Sequence, residues 1–164
     1  MADTASRIGD QPELKNRRIY EADINDLLSG AALQGGGLDL FANGRVIISS
    51  LQVDGDDRQY IHWQRCLGVK NWPSSYGTIG DVLPDGMGPD GEEVIAFENE
   101  AVMFVELAYD YQPLISSRFV GAPTIRSIAS LTVRASRDLS GIYQRNPGSP
   151  DPIANCGVFA NPFA

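Results

Sequence analysis

From Ala101 to Tyr111 the chain runs without glycine or proline, with Met103, Val105, Leu107 and Tyr109 on one face of a period-two pattern and Glu106 and Asp110 on the other. A run this long and this apolar fits an extended strand in the interior of a sheet. Pro113 ends it, because proline cannot donate to a ladder. The partners follow the same period. Val46–Val53 reads as a strand rich in β-branched residues, Asp54-Gly55-Asp56-Asp57 is turn chemistry, and Gln59–Cys66 returns antiparallel to the first strand. Ile125, Ala129, Leu131 and Val133 alternate with Arg126, Ser130, Thr132 and Arg134, predicting a fourth, half-buried strand with one basic face.

Ahead of the strands the period is helical. Leu14, Tyr20, Ile24, Leu27, Leu28 and Ala31 fall on one stripe, with Arg17, Glu21 and Asn25 on the polar face. Asp10 and Pro12 suit the start of such a helix and Gly35-Gly36-Gly37 its end. Ala2–Ile8 reads as an earlier helical piece broken at Gly9 and Pro12. A short second helix over Leu38–Ala42 stops at Asn43-Gly44, a pair suited to the left-handed conformation.

Gly68 to Gly91 is a long loop rich in Gly, Pro, Asp and Ser, in which Trp72 and Tyr76 are the candidates to pin it. The tail from Gly141 carries Pro147, Pro150, Pro152 and Pro162 and is expected to lie extended, anchored at Cys156. The expected architecture is one α+β domain over residues 1–164, with a helix laid across an antiparallel sheet of about four strands in a pilin-like arrangement. Residues 1–43 form the helical stalk and short second helix, 44–140 the sheet with the loop 68–91, and 141–164 the tail.

Charge narrows the function classes. A formal net charge of -8 disfavours phosphate backbones and anionic lipid, since no clustered basic face offsets it. Nucleic acid is therefore not an expected partner. No window approaches the roughly 18 apolar residues of a membrane span, and no signal peptide opens the chain. Cys66 and Cys156, the two cysteines, are too few for a disulfide-rich scaffold or an all-cysteine zinc site. Composition leaves open whether they form one bridge or two thiols.

Catalytic schemes find little to build on. His62 is the only histidine, it stands in a strand, and Cys66 lies about 13 Å further along that strand, too far to share a metal. Among Glu98, Glu100, Glu106 and Asp110 no spacing singles out an acid and base pair, and such charges are routine on exposed strand faces. Asp85, Asp90, Glu92 and Glu93 lack the alternating ligand pattern of an EF-hand loop. No catalytic residue, cofactor site or metal site is expected. The aromatics Trp63, Trp72, Tyr76, Tyr109 and Tyr111 serve either core or interface. Arg126, Arg134 and Arg137 offer a positive face to an acidic partner or a neighbouring subunit. The candidate interaction surface is thus Trp72, Tyr76, Arg126, Arg134 and Arg137.

Three stretches in order, Gly44-Arg45-Val46-Ile47-Ile48-Ser49-Ser50, Tyr60-Ile61-His62-Trp63-Gln64-Arg65-Cys66 and Val105-Glu106-Leu107-Ala108-Tyr109-Asp110-Tyr111-Gln112-Pro113-Leu114, together with the late cysteine, resemble the TadE-like family of tight-adherence pilus-assembly proteins. The resemblance implies a non-enzymatic minor pilin or pseudopilin in a type IVb-like pilus or secretion system. It implies partners among other pilus subunits and assembly-machinery proteins, and a periplasmic location with the inner membrane reached through an N-terminal apolar helix. That helix is missing here and is expected upstream of Met1, with Ala2–Arg7 continuing its stalk. The resemblance further implies that Cys66 and Cys156 are bridged, as an oxidising periplasm would favour. A different reading is a secreted or periplasmic binding module whose acidic loop takes a cation or small ligand.

Overall fold

Nine of the ten residues from Gly44 to Val53 are buried, so this strand must be covered on both of its faces. The computed structural model describes residues 17–112, 123–133 and 137–162. In chain order its elements are β1 (Arg17–Tyr20), α1 (Glu21–Gly35), a 3-10 turn (Gly36–Leu38), α2 (Leu40–Asn43), β2 (Gly44–Val53), β3 (Gln59–Leu67), β4 (Ala101–Asp110), β5 (Thr124–Val133) and β6 (Arg137–Tyr143). The sheet is antiparallel with strand order β3-β2-β4-β5, and β1 and β6 pair in parallel as a separate two-stranded sheet. The α+β architecture with a helix on a four-stranded antiparallel sheet therefore holds.

One face of the sheet takes α1. Ile24, Leu27, Leu28 and Ala31 of the helical stripe pack on Val46, Ile48, Met103 and Val105. The helix starts where Asp23 accepts a hydrogen bond from the Tyr20 amide at 3.0 Å, and Glu21 and Asp23 place negative charge against its N-terminal dipole. It ends at Gly36, whose left-handed φ of 49° sends its amide to the Leu33 carbonyl.

The opposite face takes the long loop. Leu51, Ile61, Val102 and Phe104 form a second core with Met87 and Ala96, joined by the half-buried Tyr76, Leu83 and Val94. This split of apolar residues needs a fault in β3. Trp63 pairs with Ser50 and Ile61 with Leu51, leaving His62 as the extra residue of a bulge. The bulge turns Trp63 toward the helix-side core while Ile61 joins the loop-side core.

Several expectations are corrected. Arg17–Tyr20 is a strand, not part of the helix, because its partner β6 lies far along the chain. Glu21 sits in no polar face: it is 2% exposed and forms a two-pronged ion pair with Arg65. The left-handed residue near α2 is Asp39 with φ 46°, whereas Gly44 is extended. β5 is mostly exposed along both faces rather than half-buried, because α1 lies over β2 and β4 and reaches only its end at Leu131 and Val133. A strand, β6, occupies Arg137–Tyr143 where the sheet was expected to give way to an extended tail from Gly141. The stalk pattern over 1–16, with Asp10, Pro12 and Leu14, lies outside the described residues, as do Pro113 and Arg134.

The helix face of β4 grades from full burial at Met103, 1% exposed, to half-burial at Leu107. Met103→Ala should cost about 2–5 kcal/mol in urea unfolding, and Leu107→Ala about 1 kcal/mol. Equal costs would show that the helix does not cover the strand as described.

Candidate functional site

The chemistry-bearing side chains gather where irregular chain is fastened to the sheet. The first fastening holds the tail. Cys66 and Cys156 are joined, closing a separation of 90 residues, and the bridge leaves no free cysteine among the described residues. A loop of that size is worth about 4–5 kcal/mol in the chain-entropy model. Beside it Arg45, 2% exposed, donates to the carbonyls of Gly68 (2.9 Å), Val158 (3.2 Å) and Cys156 (2.6 Å). Its guanidinium also lies 4.2 Å from the ring centroid of Phe159. Burial draws the Arg45 pKa down, and its charge is met by carbonyl dipoles and a ring face rather than by a carboxylate among the described residues. Gly68 permits this crossing: at φ +121° an added Cβ would stand 2.2 Å from the Gly44 oxygen. The backbone joins in, with Cys66 donating to Ala154 and Gly68 to Ala160. Between α1 and the tail lies an apolar cavity of about 400 Å³ lined in part by Leu28, Leu67, Ile153 and Val158.

The second fastening holds the loop. Glu106, 4% exposed, accepts from the Ser74 hydroxyl at 2.5 Å and the Ser75 amide at 2.8 Å, so it is a buried anchor and not an exposed face charge. Gln64 donates to the Gly77 carbonyl, and Gln59 both donates to and accepts from Ala96. Lys70 donates to Asp110 at 2.6 Å, and Thr124 of β5 donates to the same carboxylate.

The expected interaction residues fall into separate places. Trp72 and Arg126 meet, the guanidinium lying 4.1 Å from the indole centroid, which ties the loop to β5. Tyr76 packs edge-on against Phe104 at 5.1 Å in the loop-side core, so it does pin the loop. Arg137 lies apart on β6, and Arg134 is outside the described residues. Trp63 and Tyr109 are core residues, while Tyr111 is exposed.

His62 is held by two hydrogen bonds. Its Nδ1 is 2.8 Å from the Tyr60 hydroxyl and its Nε2 3.1 Å from the Ser140 carbonyl. A carbonyl only accepts, so in the neutral ring Nε2 carries the proton and Nδ1 accepts from Tyr60. The Ser140 hydroxyl turns instead to Asp138 and Tyr143. Tyr60, His62, Asp138 and Ser140 border a polar groove of about 780 Å³ that also meets Gln52, Glu100 and Arg137. One Arg137 nitrogen, Nη1, is buried there without a hydrogen-bond partner, and burial followed by repulsion from Arg17 lowers the Arg137 pKa. Among the described residues no three of His, Cys, Asp and Glu cluster so as to hold a metal ion, and Asp85, Asp90, Glu92 and Glu93 are not gathered.

Arg45 and Glu106 are the anchors that sequence pattern did not single out. The available signal was a charge set inside an otherwise apolar strand, at Gly44-Arg45-Val46 and Val105-Glu106-Leu107.

Arg45→Met should destabilise the fold by about 2–4 kcal/mol in denaturant unfolding. Because Arg45 and the bridge hold one segment, the loss in a Cys66→Ser/Cys156→Ser background should depart from additivity. Strict additivity would mean that they act on separate units. Acid should weaken the carboxylate contacts, that of Asp110 in the loop fastening among them. The hydrogen bond from Lys70 and then that from Thr124 hold the Asp110 carboxyl below its ordinary range; the Ser140 hydroxyl does the same for Asp138 and the Thr78 amide for Asp81. Carboxyls with depressed folded values contribute fully above the unfolded pKa of about 3.9, and that contribution is lost as pH falls through the folded values. The melting temperature should therefore stay level from pH 7 to about 4 and fall below it, with a shallower fall for Asp110→Asn. An unchanged acid limb in that variant would remove Asp110 from the account. Compared with known proteins, the chain matches no family model, no curated protein and no solved structure.

Proposed function

We propose that the chain is the periplasmic domain of a TadE-like pilus-assembly protein, a non-catalytic subunit or assembly factor that acts by presenting surfaces. What supports the reading is placement: the first two resembling stretches fall on β2 and β3, the third has Val105 to Asp110 on β4, these strands are neighbours in one sheet, and the late cysteine is bridged to the end of the β3 stretch. A bridged, tail-fastened domain suits an oxidising compartment outside the cytoplasm. In this reading an apolar helix ahead of residue 1 anchors the protein in the inner membrane, and partner subunits meet the sheet and its loop. Among the described residues His62 and the strand carboxylates are engaged in structural hydrogen bonds, which accords with a surface-presenting role.

The test is genetic and visual. A strain lacking the gene should lose its surface pili in negative-stain electron microscopy and regain them with the intact gene, while the Cys66→Ser/Cys156→Ser form should restore them poorly. Normal piliation in the deletion strain would sink the reading.

A further inference from the structure

The two edges of the four-stranded sheet are treated differently. β3 is covered at both ends: Asp81 and Leu83 of the loop bond at Ile61 and Gln59, and Ala154 and Ala160 of the tail accept from Cys66 and from Gly68 just beyond the strand. β5, at the other end of the strand order, pairs only with β4 among the described residues. It runs ten residues, TIRSIASLTV, and is exposed from Ile125 to Ser130, with Ile125 at 47% and Ile128 at 42%. Proteins commonly blunt such edges with charged side chains, proline or a bulge. Of these devices β5 carries a single charge, Arg126, and its register with β4 is unbroken over ten pairs.

We propose that β5 pairs antiparallel with β5 of a second copy of this chain, joining two sheets about a two-fold axis at Ile128. The sequence of the strand selects that occupant. Centred on Ile128, the pairing sets Ile125 against Leu131, Thr124 against Thr132 and Ser127 against Ala129, with Arg126 against Ser130. Ile125 meets Leu131 on the helix face, Ile128 meets its own copy on the other, and the two arginines stay apart. A parallel pairing in register would stack Arg126 on Arg126. The formal net charge of -8 works against self-association as a whole, and β5, which carries no acidic residue, is a stretch where that repulsion is least. The symmetry is isologous, so the contact closes at two copies. A strand about 33 Å long buries less than the roughly 1,200 Å² of standard interfaces, so the dimer is weak and concentration-dependent. This inference stands on the edge alone and does not rest on the pilus reading.

Sedimentation of the 164-residue chain, followed from low micromolar to about millimolar concentration, should show the mass climbing from 17.8 kDa toward twice that value. Ile128→Lys and Ile128→Glu should each stay monomeric, and their equimolar mixture should regain the association, because opposite charges then meet at the axis. Ser130→Lys, exposed and set against Arg126, should also stay monomeric, while Leu33→Lys on the exposed side of α1 should associate as the parent does. A parent that remains at 17.8 kDa throughout overturns the proposal. So does association that persists in Ile128→Lys or Ser130→Lys, or a charge-swapped mixture that fails to pair.

Discussion

A strand pair buried on both faces needs two covers, and the helix and the long loop of this domain answer that requirement. β2 and β4 form the pair, with Ile48 and Ile47 on opposite faces at 0% and 1% exposure and Met103 and Phe104 at 1% and 2%. One cover is a regular helix, which satisfies its own backbone. The other is an irregular loop, which does not. Buried polar side chains make up the difference: Glu106 takes a hydroxyl and an amide of the loop, Gln64 a carbonyl, and Gln59 both backbone groups of Ala96.

The tail follows the same logic with a cation in place of a carboxylate. Arg45 reaches three carbonyls on two segments, Gly68 on one and Cys156 and Val158 on the other. A buried guanidinium without a counter-charge among the described residues is costly unless its donors are met; the tail and Gly68 meet Nη1 and Nη2 and leave Nε buried without a partner, so the arginine depends on the tail. The disulfide then fixes the tail covalently beside the same carbonyl. Polar chemistry that would suggest a reactive site on a bare strand is here used to hold chain in place.

Much of this was legible locally. The helical stripe Ile24, Leu27, Leu28 and Ala31, the β2–β3 hairpin and the interior strand beginning at Ala101 follow from period and turn chemistry. Trp72 and Tyr76 as pins of the loop were legible too, since they are the two aromatic residues of that segment. The failures share one cause. β1 and β6 are each other's partners across more than a hundred residues, and neither has a pattern strong enough to declare itself alone. β5 alternates like a half-buried strand, yet its burial depended on how far α1 extends across the sheet. His62 and Cys66 share a parity that the bulge at His62 interrupts.

The sequence by itself determined which segments are helix and strand where apolar residues repeat with a clear period. Tertiary structure alone decided what covers what: which edge of the sheet is closed, that Glu21 and Glu106 are buried, and that Arg45 holds the tail. The physical reason is that period records the environment of one face of one element. A buried charge is tolerable only through partners brought in from distant segments, and no local pattern encodes their arrival.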